Sequence, residues 1–182
     1  MTAAVPRVVL VGPPGAGKSS VAARLGALLG LAVRDTDADV EATAGKPITE
    51  IFVDDGEPTF RALERDAVLT ALGEHGGVLA LGGGAVLDTD VQEALAAYRA
   101  GGGAVVFLDV SLAAAAPRVG FNRSRPLLLG NPRAQWQALM DARRPVYEAV
   151  AGLRVDTDGR TPDEVAQVIT EALTGDGPGA GE

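Results

Sequence analysis

The chain has 182 residues, 47 % of them apolar, a net charge of −8 and no cysteine. That length suits one domain with a substantial core, the acidic balance opposes a general nucleic-acid or anionic-membrane binder, and the lack of thiols excludes disulfide and thiolate chemistry. No apolar run nears the roughly 18 residues that a membrane span needs, and the opening MTAAVPRVVLVG has none of the parts of a signal peptide, so the cytoplasm is the expected compartment.

Residues 7–12 read as a buried strand, 17–29 as a helix and 31–35 as a second strand. A long helix starts at Pro58, after Gly56 and Glu57, and runs to about Glu74; strands follow at 78–82 and 104–110. Asn131 and Pro132 supply a cap and a first helical residue, a short strand covers 153–156, and a last helix begins near Thr161 and ends near Leu173. Five short strands joined by helical crossovers predict a three-layer α/β/α fold on a parallel sheet, a single domain over residues 1–174. The acidic, glycine-rich residues 175–182 read as a disordered tail. Residues 35–56 and 120–132 look too irregular to be crossovers alone and are expected to be functional insertions.

GPPGAGKS, residues 12–19, fits the GxxxxGK(S/T) phosphate loop and stands between a predicted strand and a predicted helix, as that motif requires. Glycines there let successive backbone N–H groups converge on a phosphate, and the helix N-terminus adds partial positive charge. Gly15, Ala16, Gly17, Lys18, Ser19 and Ser20 are therefore candidate ATP-binding residues, Lys18 neutralising β and γ oxygens and Ser19 offering its hydroxyl to Mg²⁺. Lys46 is the only other lysine. No NKxD element accompanies the loop and the chain is short for a motor, which leaves a small kinase as the leading class.

Four further features bear on what receives the phosphoryl group. At the end of the second strand, Asp35 and Asp37 flank Thr36; one acid can assist Mg²⁺ through water and the other can accept a hydrogen bond from an acceptor hydroxyl, while capping of a helix by Thr36 or Asp37 is the alternative. On the helix from Pro132, the apolar stripe Trp136, Leu139, Met140, Val146, Tyr147 and Val150 has Arg143 at its centre, so an acid or a bound anion is expected to meet that guanidinium. Pro145 is expected to kink or restart this helix. Arg61 and Glu64 share a face, either as a surface pair or, with Arg143, as part of a bidentate clamp on a carboxylate. Gly82, Gly83 and Gly84 follow a strand and allow the main chain to approach a ligand and donate its N–H groups; a flexible turn is the other reading. Between residues 118 and 144 six arginines (118, 123, 125, 133, 143, 144) face one acid, Asp141, which invites a small polyanion. His75 reads as a solvated residue at a helix end, and Trp136 as packing.

The ordered set GPPGAGKS, DTD, FRALE, LGGGAV, RPLL and LMDARRPVY resembles shikimate kinases and spans residues 7–162. The resemblance implies the sheet order 2-3-1-4-5 and transfer of the ATP γ-phosphoryl group to the 3-hydroxyl of shikimate, in aromatic amino-acid biosynthesis. It implies one Mg²⁺, held by Ser19 directly and by Asp35 through water, and a monomer with no nucleic-acid or membrane partner. By the same resemblance Asp37 grips the shikimate hydroxyls and serves as base, in an acceptor-binding segment of about residues 35–64. Arg61, Arg143 and Gly82 to Gly84 grip the carboxylate and ring hydroxyls, Glu64 orients them, and Ile48, Phe52, Phe60 and Pro126 form an apolar wall. Lys18 and Arg125 stabilise the moving phosphoryl group, Arg118 and Arg160 flank adenine, and residues 120–128 form a lid. Asp109 resembles the acid that ends a Walker B strand but has no assigned role, and Arg123 and Arg144 neighbour the motif arginines.

Overall fold

The computed structural model describes residues 3–119 and 130–175. β1 (Val8–Val11) leads into α1 (Lys18–Leu29) and β2 (Val33–Asp35), which is followed by α2 (Thr36–Ala44), α3 (Ile48–Asp54) and α4 (Glu57–Glu74). Next come β3 (Val78–Ala80), a 3₁₀ turn at Ala85–Leu87, α5 (Thr89–Ala100), β4 (Val105–Asp109) and α6 (Leu112–Val119). α7 (Pro132–Val150), β5 (Leu153–Asp156) and α8 (Pro162–Thr174) complete the described chain.

All five strands pair in parallel in the order β2-β3-β1-β4-β5, the order implied by the resemblance. β1 is central and every residue of VVLV is buried, because a sheet covered on both faces has no polar side to alternate toward. The chain crosses from β3 to β4 past β1, which places the switch in strand order, and with it the natural ligand crevice, at the carboxyl end of β1. No helix among the described residues is long and apolar enough to cross a membrane.

Residues 35–56, expected to be irregular, are mostly helical, with α2 and α3 separated by a short turn at 45–47. α2 and α3 are too short and too weakly amphipathic to announce themselves by periodicity, and they are held by a second small core in which Val40, Ile51 and Phe60 of α2, α3 and α4 meet. Neither Thr36 nor Asp37 caps α2. Asp35 does, its carboxylate accepting the Asp37 N–H at 2.9 Å, while the buried Thr36 hydroxyl accepts the Gly82 N–H at 3.1 Å and ties α2 to the segment after β3.

α7 starts as predicted, with Asn131 capping the Ala134 N–H and Pro132 in the first turn, but it runs unbroken through Pro145. Trp136, Met140, Arg143, Tyr147 and Val150 are accordingly buried along one continuous face. His75 is not simply solvated: it ends α4, half-buried, with its ring Nε2 3.0 Å from the Val78 carbonyl. α8 opens on a reciprocal capping box between Thr161 and Glu164.

Candidate active site

The phosphate loop leaves β1 at Gly12, where a side chain would meet the Leu108 carbonyl at 2.6 Å. Gly15 and Gly17 take φ values of 86° and 85°, the left-handed region that turns consecutive N–H groups to one side, and α1 begins directly after them. Lys18 lies back over this loop, donating from Nζ to the Gly12 carbonyl at 2.6 Å and the Pro13 carbonyl at 3.1 Å. Ser19 donates from Oγ to the Asp35 carboxylate at 3.2 Å. A cavity of about 420 Å³ opens in front of the loop, lined by Gly15, Gly17, Lys18, Ser19, Ser20, Asp35 and Arg118 among others. Arg118 reaches it from α6 and donates to the Gly15 carbonyl at 3.2 Å. Ala16 is the buried residue of the loop, and Arg160 is exposed in the turn after β5, outside the residues that line this cavity.

A second cavity of about 400 Å³ lies beside the first. Ile48, Phe52 and Phe60 give it an apolar wall, with the Phe52 and Phe60 rings 4.7 Å apart, and Arg61, Glu64 and Arg143 give it charge. Glu64, only 3 % exposed, accepts from Arg61 at 2.7 Å, and the Arg61 guanidinium covers the Phe60 ring at 5.2 Å. The pair thus faces a cavity, not the outer surface. Arg143 is buried, beside the Tyr147 phenol and within the field of Glu64, yet among the described residues no carboxylate forms an ion pair with it. A buried guanidinium left in that state suits an incoming anion, since one without a counter-charge costs on the order of several kcal/mol.

Pro14, Asp37 and Gly83 line both cavities. Asp37 is the titratable group of that partition. Burial raises its carboxyl to about 6, the charges of Asp35 and Glu64 push the same way, and Lys18 opposes them. Burial also raises Glu64, against the pull of Arg61 and Arg143. Two acids lifted by a shared crevice, beside a lysine and an arginine, make this partition a candidate for proton-transfer chemistry.

The glycine triplet acts differently from the expectation of three N–H donors. Gly83 and Gly84 line the second cavity, but the Gly82 N–H is already bonded to Thr36. Gly82 is needed for space: a side chain there would meet Asp37 Oδ1 at 2.5 Å and Glu64 Oε2 at 2.7 Å, and one on Gly84 would collide with the Arg61 guanidinium. Arg125, Pro126 and the expected lid at 120–128 lie outside the described residues.

Residues 14–174 match the family model described as shikimate kinase. The chain belongs to the shikimate kinase family. Among its relatives is the shikimate kinase of Streptomyces avermitilis, 56 % identical over 93 % of this chain and 96 % of that protein; the enzyme of Streptomyces coelicolor is 53 % identical over 92 % and 95 %. The solved shikimate kinase from Acinetobacter baumannii in complex with shikimate superposes with a TM-score of 0.87 at 32 % identity, covering 96 % of each chain.

Several residues of this shikimate kinase family member support the site without having been singled out for it. Trp136, read as packing, is 1 % exposed and donates its indole N–H to the Pro14 carbonyl at 2.9 Å. Tyr147 is fully buried and donates its hydroxyl to the Gly83 carbonyl at 2.5 Å. The rule that a buried Trp or Tyr must find an acceptor could have flagged both, though not the acceptor's identity. Arg144 lines neither of these two cavities: it joins Arg154 on the Asp109 carboxylate, at 2.7 and 2.6 Å. Burial pushes Asp109 up, but the two guanidinium groups outweigh it and hold the carboxyl below its usual range.

Proposed function

We propose that the chain transfers the γ-phosphoryl group of ATP to the 3-hydroxyl of shikimate, releasing ADP and shikimate 3-phosphate in the cytoplasmic synthesis of aromatic amino acids. The observation that carries the proposal is the partition at Pro14, Asp37 and Gly83, which sets a phosphate-loop cavity against a cavity with an apolar wall, two arginines and a raised carboxyl. A ring bearing one carboxylate and several hydroxyls has the chemistry of that second cavity.

In this reading Arg143 and Arg61 bind the shikimate carboxylate, with Glu64 fixing the Arg61 fork, while Ile48, Phe52, Phe60 and Pro126 cover the ring. Gly83 and Gly84 give the hydroxyls close access to the main chain, and Gly82 leaves room for Asp37 and Glu64. Asp37 accepts the proton of the 3-hydroxyl as its oxygen bonds to the γ-phosphorus; the bond to the β–γ bridging oxygen breaks and ADP carries that electron pair away. Lys18 moves from the loop carbonyls to the phosphoryl oxygens and, with Arg125, stabilises charge that develops there. Gly15, Ala16, Gly17 and Ser20 complete the phosphate cradle, and Arg118 and Arg160 border adenine. Residues 1–174 act as one catalytic domain, with 120–128 as its lid and 175–182 as a tail, and the enzyme works as a monomer.

The donor set also fits Mg²⁺. Ser19 Oγ and the Asp35 carboxylate stand 3.2 Å apart at the mouth of the nucleotide cavity, and the described residues contain no cluster of three acids or histidines that would suit a metal held by protein alone. Ser19 would bind the ion directly and Asp35 through water, the ion supplying charge neutralisation at the β and γ oxygens.

Coupled ADP release measured with shikimate, gluconate and nucleoside monophosphates tests the assignment. Turnover is expected with shikimate; its absence would sink the proposal, and turnover on gluconate would favour a gluconate kinase. Arg143→Ala should raise the shikimate KM about 30-fold or more, the effect of about 2 kcal/mol or more lost when a buried charge loses its counterpart, and should leave the ATP KM nearly unchanged. An unaltered shikimate KM in that variant would rule out the carboxylate clamp.

A further inference from the structure

Two of the three residues that separate the cavities are held by one helix face. Pro14 accepts from the Trp136 indole at 2.9 Å, and Gly83 accepts from the Tyr147 hydroxyl at 2.5 Å. Trp136 and Tyr147 lie about three helical turns apart, so both point to the same side of α7, with Met140 and Arg143 between them. Both side chains are essentially inaccessible to water, and the Tyr147 ring stacks on Phe107 of β4 at 5.1 Å, which fixes the helix against the sheet. A hydrogen bond in such a setting has no solvent to replace it, so losing it frees the carbonyl it restrains.

We infer that Trp136 and Tyr147 are positioning residues: α7 spans the two half-sites and sets the gap between the phosphate loop and the acceptor glycines. This rests on the shikimate kinase reading. Phosphoryl transfer depends on near-contact alignment of the attacking oxygen, and a displacement on the order of 1 Å costs about 10²-fold in rate. A gap that is loosened slows transfer to the acceptor hydroxyl and lets water take the phosphoryl group instead, giving ADP and inorganic phosphate.

Trp136→Phe and Tyr147→Phe each remove one donor and keep an aromatic ring. Both should lower kcat at least tenfold and release more ADP than phosphorylated acceptor, where the parent releases one per turnover. Trp136→Phe should also weaken ADP binding, measured by calorimetry without acceptor, about tenfold, and Tyr147→Phe should not. Met140→Ala, which disturbs packing on the same face and offers no hydrogen bond to either loop, should keep the one-to-one ratio. Either phenylalanine variant keeping kcat within threefold of the parent at a one-to-one ratio would overturn the inference, as would Met140→Ala releasing the same excess ADP. If the parent itself fails to phosphorylate shikimate, the functional reading falls; ADP affinity then decides the inference, which an unchanged affinity in Trp136→Phe overturns.

Discussion

Asp37→Asn is expected to turn over about 10³-fold more slowly than the parent while unfolding at a higher temperature near neutral pH. A positioned general base contributes roughly 10² to 10⁴ in rate, and asparagine can hold the hydroxyl without taking its proton. The stability gain follows from the raised carboxyl. Its ordinary value of 3.8 is lifted to about 6, chiefly by burial, so the folded protein binds this proton more tightly than the unfolded chain. The stability this proton confers is therefore fully present below 3.8 and is lost as pH rises through about 6. Above that the ionised carboxylate opposes folding by about 1 to 3 kcal/mol, which in a chain of this size corresponds to roughly 2 to 12 °C. Calorimetry of the parent and Asp37→Asn at pH 7 and pH 4 checks the sign: the variant should melt higher at pH 7, and its advantage should shrink at pH 4. A lower melting temperature at both values would mean that the carboxylate stabilises the empty site. The same group predicts that kcat/KM for shikimate falls as pH drops below about 6.

Lys18→Met should lower kcat by roughly 10² to 10³, the usual effect of removing one preorganised donor to developing charge. Methionine preserves length and packing while removing the ammonium now bonded to the Gly12 and Pro13 carbonyls. The substitution has a second, separable consequence. Lys18 is the positive charge that opposes the rise of Asp37, so its removal should move the acid limb of the kcat/KM profile to higher pH. A rate loss with the limb unmoved would place the two groups too far apart to share one reacting oxygen.

How much of this was legible in the sequence depended on the range of the interaction. GPPGAGKS was legible because the residues that set its turns, the glycines and the start of the following helix, all stand within the motif. Arg143 was legible because helical periodicity put it among apolar residues, and Asn131-Pro132 because capping is local. The helices α2 and α3 were not, since their stability comes from Val40, Ile51 and Phe60 meeting across three separate segments. Asp35 rather than Thr36 caps α2 because Thr36 is drawn to Gly82, 46 residues away, a contact that no local rule contains. For the same reason the sequence pointed to the glycine triplet but misjudged Gly82, whose purpose is the volume left free for two carboxylates.

The second small core has a consequence for how this architecture can change. Val40, Ile51 and Phe60 pack with each other and not into the cluster that buries the sheet. Altered side chains there can reshape the acceptor wall while the strands keep their protection against amide hydrogen exchange. Selection can thus reshape that apolar wall while the packing that buries the sheet beneath the phosphate loop stays as it is.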